Sequence, residues 1–214
     1  MGTEFSHIMG DQLLSVLQPQ NTALLVIDVQ EDFASQTGII GRTGADLSHA
    51  NATIDQLERI IGAARSAEVP CIFLRVVTRP ETDPPNLVEL MSRKGMVGGQ
   101  ALCRAGSSGA DYYRVHPEPG DYQVEKLLYN GFHGTNLDTY LRNHNIDTLL
   151  LTGFSTDCCI DATARDAFHR GYHVFVVTDA CGGPDPALHT STLQCLGKHC
   201  ALLLETEAVI GAWS

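Results

Sequence analysis

Short apolar runs that alternate with stretches of helical spacing constrain this chain more than any other feature of it. Ala23-Leu24-Leu25-Val26-Ile27, Cys71-Ile72-Phe73-Leu74-Arg75-Val76-Val77 and Thr148-Leu149-Leu150-Leu151-Thr152 carry few polar residues. Runs of that length without in–out alternation suit strands covered on both faces, the condition of a parallel sheet. Between them the period changes. From about Asp46 to Glu68, Ile54, Leu57, Ile61 and Ala64 recur at three and four residues, which is one face of a helix. Helices are also predicted at Asn136–His144, Thr156–Arg170, Pro186–Leu196 and Glu207–Trp213, and strands at Tyr122–Lys126, His173–Thr178 and Ala201–Leu204. Parallel strands need crossover connections, and crossover helices cover both faces of the sheet. The predicted fold is a three-layer α/β/α sandwich around a central, mainly parallel six-stranded sheet.

Composition supports a packed core, with 43% hydrophobic and 18% charged residues over 214 positions, a length that favours one domain. Met1 to Ile8 is aperiodic and precedes a second methionine, Met9. It reads as an expression-tag remnant, and residues 9–214 as a single domain. Lys plus Arg is 14 against 25 Asp plus Glu, a net charge of −11, which argues against nucleic-acid and membrane partners. The seven cysteines form no CxxC pair, and no secretory leader is evident, so reduced thiols and a cytoplasmic location are expected. His133, His144, His169, His173, His189 and His199 follow no metal-ligand spacing; neither a metal nor a cofactor is expected. The Gly/Pro-rich stretch from Thr78 to Gly120, with one short helix at Leu87–Arg93, is too long for a plain connection and reads as binding loops.

In open parallel sheets ligands bind beyond the C-terminal strand ends, so chemistry is sought there. The first strand ends in Asp28, either a structural acid satisfied by backbone N–H groups or a catalytic one. The third ends in Lys126, which taken alone reads as a solvated edge residue; Glu125 beside it faces the other way. The fourth runs into Gly153-Phe154-Ser155-Thr156-Asp157-Cys158-Cys159. Gly153 permits a sharp turn, Ser155 to Asp157 are good N-cap types, and both cysteines fall in the first helical turn. A helix start favours a thiolate and offers N–H groups to an oxyanion.

Leu25-Val26-Ile27-Asp28-Val29-Gln30-Glu31-Asp32-Phe33, Lys126 followed by Asn130-Gly131-Phe132-His133-Gly134-Thr135-Asn136-Leu137, and Thr152-Gly153-Phe154-Ser155-Thr156-Asp157-Cys158-Cys159-Ile160 resemble three motifs of the isochorismatase-like cysteine hydrolases, which have a Rossmann-like fold. The resemblance runs from about Asn21 to the C-terminus. It implies a catalytic acid at Asp28, a lysine at Lys126 and a nucleophile at Cys159. It also implies a cis peptide at Phe154-Ser155 that turns the Ser155 N–H towards the Cys159 N–H as an oxyanion hole. Cys158 stands where that family usually has a small apolar residue. Gln30, Phe33, Phe132 and Arg79 are candidate substrate contacts. Ordinary core packing is the competing reading for the two phenylalanines, and a solvated loop arginine for Arg79.

Departures from the family narrow the function. Val76 to Pro85 contains no histidine, so the metal site of the nicotinamidase branch is not expected. Isochorismatases cleave a vinyl ether and often lack the cysteine, so Cys159 leans towards C–N bond hydrolysis through a thioester acyl-enzyme. Thr78-Arg79-Pro80, Asp179-Ala180-Cys181 and Asp185-Pro186-Ala187-Leu188-His189 resemble the biuret and ureide amidohydrolase branch. The expectation is a hydrolase of a small amide, ureide or N-carbamoyl compound, assembled as a homodimer or tetramer. An isochorismatase, or a catalytically idle member using Cys158-Cys159 as a redox pair, is the alternative.

Overall fold

A computed structural model describes residues 15–214; the suspected tag remnant at Met1 to Ile8 lies outside them. Six strands, β1 (Thr22–Ile27), β2 (Cys71–Val76), β3 (Tyr122–Lys126), β4 (Thr148–Phe154), β5 (His173–Gly182) and β6 (Leu202–Leu204), form one sheet. Their order is β3-β2-β1-β4-β5-β6, and every pairing is parallel. The helices are α1 (Glu31–Ala34), α2 (Ile39–Arg42), α3 (Ala50–Ser66), α4 (Pro85–Arg93), α5 (Leu137–Asn143), α6 (Asp161–His169), α7 (Pro186–His199) and α8 (Thr206–Ala212).

The apolar runs lack alternation because both faces of the sheet are covered. Leu24 and Val26 of β1 join Phe73, Leu150 and Phe175 in one core with Ile54, Leu57, Ile60, Ile61 and Ala64 of α3 and Val209 of α8. Ala23, Leu25 and Ile27 point the other way, to Ile72, Leu74, Leu149, Leu151 and Val176. There α5 supplies Leu137 and Leu141, and α6 supplies Ala164 and Ala167. Each fully buried Leu or Ile contributes about 1.5–3 kcal/mol, so the two cores fix the three layers.

From β1 the chain builds outward through β2 to β3, then returns to place β4 on the other side of β1 and continues to β5 and β6. The crevice where that direction reverses, between β1 and β4, is where such sheets bind ligands. Two elements differ from expectation near it. β5 runs on to Gly182, pairing Cys181 with Gly153 and Gly182 with Phe154 after a register shift beyond Leu151. The segment expected to open a helix at Thr156 is instead a separate π-helical turn, Thr156–Ile160, before α6. Such wider turns often mark functional sites.

The long Thr78–Gly120 segment is tied down from below. The Gln30 amide donates to the Val76 and Ala110 carbonyls and accepts from the Val76 N–H. The buried Asp32 carboxylate accepts from the Ile39 and Cys103 N–H groups at 3.0 and 2.7 Å. Arg104 grips Asp83 with two bonds of 2.6 and 2.5 Å.

Candidate active site

Three strand ends meet beyond β1, β3 and β4. Asp28 follows β1 in the left-handed conformation, φ +51°, which Asp tolerates better than bulkier residues. Lys126 closes β3, and Cys159 sits in the π-helical turn after β4. Lys126 Nζ lies 2.6 Å from Asp28 Oδ2, 3.0 Å from the Leu128 carbonyl oxygen and 3.6 Å from Cys159 Sγ.

The solvated-edge reading of Lys126 fails, although β3 is indeed the edge of the sheet. Strand alternation sends Val124 and Lys126 inward, and the lysine is only 2% exposed. Glu125 faces away, as the period of two requires, and pairs with Arg75 and Arg79. Asp28 is fully buried and Cys159 is 5% exposed. Among the described residues Asp28 Oδ1 meets no hydrogen-bond partner, while Oδ2 accepts from the Lys126 ammonium; the Val76 backbone adds only the smallest of the pulls on its charge.

Burial pushes the Asp28 carboxyl above its ordinary value, against the pull of Lys126 and Cys159. Burial works against the Lys126 charge too, but Asp28 and Cys159 outweigh it and hold the ammonium above its ordinary value. The Cys159 thiol is raised by its hydrogen bond with Cys158, by burial and by the Asp28 charge, with Lys126 opposing. These influences oppose the thiolate that a helix start favours at Cys159, while the same hydrogen bond lowers the neighbouring Cys158 thiol.

The loop after β4 is shaped for close approach. Gly153 has φ +112°, and a Cβ there would overlap the Ile27 carbonyl oxygen. The Phe154-Ser155 peptide is cis. Ser155 occupies the N-cap position without a side-chain cap bond. Its carbonyl accepts from the Cys158 and Ile160 N–H groups, while its own N–H meets no acceptor among the described residues.

The remaining candidates are spread more widely. The Gln30 amide is committed to Val76 and Ala110. Phe132 is buried between Tyr172, with ring centroids 5.8 Å apart, and the Arg170 guanidinium. Phe33 packs against Val76, Cys103 and Ala110. Arg79 reaches Glu125 at 3.4 Å, on the side of β3 away from Lys126. Tyr129 was missed in the sequence. It is 40% exposed, and burial together with the charges of Cys158 and Cys159 raises its phenol. Its place three residues after Lys126 was the signal available.

All seven cysteines are free thiols. Among the described residues, no group of three or more His, Cys, Asp or Glu is arranged to hold a metal ion. No helix among them is long and apolar enough to cross a membrane.

The isochorismatase domain family matches residues 22–208 of the chain. A ureidoacrylate amidohydrolase from Methylobacterium radiotolerans is 35% identical over 190 residues, 83% of this chain and 73% of that protein. The structure of a cysteine hydrolase from Pseudomonas syringae pv. phaseolicola is similar, with a TM-score of 0.78 at 27% identity over 91% of this chain and 93% of that one. An N-carbamoylsarcosine amidase from Thermoplasma acidophilum gives 0.69 at 29% identity, over 87% and 97%.

Proposed function

The chain belongs to the isochorismatase family, and from that premise we propose that it is a cysteine-dependent hydrolase of the C–N bond of a small ureido or N-carbamoyl compound. The observation that carries the mechanism is the buried contact of Lys126 Nζ with both Asp28 Oδ2 and Cys159 Sγ, which leaves Asp28 Oδ1 without a partner among the described residues. The named activities of the relatives support the bond class. They do not favour the isochorismatase or the idle redox alternative.

In this reading Asp28 Oδ1 takes the thiol proton as Cys159 Sγ attacks the carbonyl carbon. Lys126 keeps the carboxylate charged before transfer and stabilises the forming thiolate. The oxyanion sits on the Ser155 and Cys159 N–H groups. Collapse breaks the C–N bond, and Asp28 gives its proton to the leaving nitrogen. Water, deprotonated by Asp28, then attacks the thioester, and the thiol re-forms. On a ureido substrate either nitrogen can leave, and the carbamic acid released decomposes to carbon dioxide and an amine or ammonia. Tyr129, Phe33 and Phe132 are the proposed walls around the substrate; Gln30 is proposed to hold the Val76 and Ala110 backbone beside it, and Arg79, turned to Glu125, to reach a substrate only at the outer rim. The reading takes residues 9–214 as one domain, working as a homo-oligomer in the cytoplasm, where free thiols persist.

Ammonia release over nicotinamide, biuret, ureidoacrylate and N-carbamoyl amino acids, with pyruvate release from isochorismate as control, tests the proposal. The ureido and N-carbamoyl members should be turned over. Cys159→Ala should lose at least about a thousandfold in kcat, and intact mass should show the acyl adduct in the wild type alone. Full activity of Cys159→Ala, or pyruvate release that survives it, would overturn the reading.

A further inference from the structure

The mechanism leaves unused a part-buried polar cluster at the turn that carries Ser155 and Cys159. Thr156 is fully buried. Its Oγ1 lies 2.8 Å from His189 Nδ1 and 3.1 Å from the Gly182 carbonyl oxygen. His189 lies in the first turn of α7, whose N-terminus Asp185 caps by accepting from the Ala187 and Leu188 N–H groups. The loop between β5 and α7 follows the same turn closely: a Cβ on Gly183 would meet Ser155 Cβ at 3.3 Å, Asp157 Oδ1 at 3.4 Å and the Thr156 nitrogen at 3.8 Å.

The hydroxyl has one proton, and the Gly182 carbonyl can only accept. Both contacts are hydrogen bonds together when Thr156 donates to Gly182 and His189 donates from Nδ1 to Thr156. That arrangement fixes the imidazole tautomer, with the proton on Nδ1 and Nε2 bare. Burial lowers the imidazole pKa, with Asp157 opposing, which favours the neutral ring.

We propose that His189 is a positioning residue for the hydrolysis, its Nδ1–H holding Thr156 so that the adjoining Ser155 N–H stays aimed at the oxyanion. The proposal rests on the reading of Ser155 and Cys159 as the oxyanion hole. His189 touches no reacting atom. It acts through Thr156 on the preceding Phe154–Ser155 peptide, which carries the Ser155 N–H and whose displacement would weaken transition-state binding more than substrate binding.

Two measurements test it. Nitrogen-15 spectra of the wild-type imidazoles, assigned by the signal missing from His189→Asn, should show His189 protonated at Nδ1 and bare at Nε2 at neutral pH. The opposite tautomer overturns the proposal, and this arm needs no substrate. The second arm uses whichever ureido or N-carbamoyl substrate the wild type hydrolyses. Asn places an amide N–H near the Nδ1 position and Gln near Nε2. His189→Asn should therefore keep kcat within about threefold, while His189→Gln loses about tenfold or more in kcat with KM changed less than about twofold. Equal kcat for the two variants, or a loss confined to KM, overturns it. A wild type inactive on the whole panel counts against the proposed function, and the tautomer then decides the role of His189.

Discussion

At the residue scale the site turns on two charges that have left water together. Lys126 and Asp28 side chains are both wholly inaccessible and 2.6 Å apart. Removing one partner strands the other. Lys126→Met should cost about 3–5 kcal/mol, read as a lower denaturant midpoint at unchanged slope. A cost below about 1 kcal/mol, the range of surface pairs, would mean that the pair is not buried in solution. The stranded carboxyl can take up a proton, so the cost should be smaller at pH 5 than at pH 8. Asp28→Asn, which keeps the left-handed backbone, combined with Lys126→Met should regain most of the stability while remaining inactive. The same pair sets the pH dependence. Asp28 is raised by burial, and a base works only when ionised, so kcat/KM should climb through a value above the usual carboxylate pKa of about 3.8. Lys126 is raised above its ordinary value and keeps its charge well into the alkaline range. An acid limb at or below about pH 4 in kcat/KM would contradict the raised carboxyl. That shift also costs stability: between the ordinary and the raised value the folded state holds the extra proton, so stability falls as pH rises there.

At the scale of elements, the decisive piece is the passage from β4 into the π-helical turn. Gly153 pairs with Ile27 in the ladder between β4 and β1 and has φ +112°. Any side chain there meets backbone, which cannot rotate out of the way. Gly153→Ala should therefore cost at least about 3 kcal/mol, from strained φ and overpacking together, seen as a fall in thermal midpoint or as insoluble protein. A fully stable variant would mean that the β1–β4 spacing is looser than the structure has it. The sequence foretold this glycine's turn, because a glycine at the end of the Thr148-Leu149-Leu150-Leu151-Thr152 run has few other uses. It did not foretell the π-helical turn, because Thr156 to Ile160 carries the same residue types that an α-helical first turn would. Nor did it foretell the length of β5. Thr178-Asp179-Ala180-Cys181 reads as the end of a strand, and only pairing with Gly153 and Phe154 extends it. Local pattern carries the elements; neighbours decide where they stop.

At the scale of the whole molecule, the layers were legible because burial on both faces removes alternation from β1, β2 and β4, a signal local to each run. The meeting of Asp28, Lys126 and Cys159 was suggested by the rule that ligands bind beyond strand ends and sharpened by motif resemblance, since strand order is not written in any one segment. Tyr129 escaped the reading, and His189 was read only as a histidine without metal-ligand spacing and as the end of the Asp185–His189 motif, because each gains its meaning from a residue on another element. One property belongs to the molecule as a whole: the net charge of −11. It repels an anionic ureido acid and is indifferent to a neutral urea derivative, and both fall within the proposed substrate class. The Debye length shrinks from about 30 Å at 0.01 M salt to about 10 Å at 0.1 M, so added salt should remove the repulsion. For a carboxylate-bearing substrate kcat/KM should rise severalfold across that range, and for its carboxamide analogue it should stay constant within about twofold. A fall in kcat/KM with salt for the carboxylate would have a different meaning. It would place a local positive field at the entrance strong enough to overcome the net charge, and Arg79→Ala would then identify or dismiss its source. Charge reversal at a remote, solvent-exposed carboxylate such as Glu207, 75% exposed, should shift the salt response only slightly, because a single distant charge is screened before it reaches the crevice.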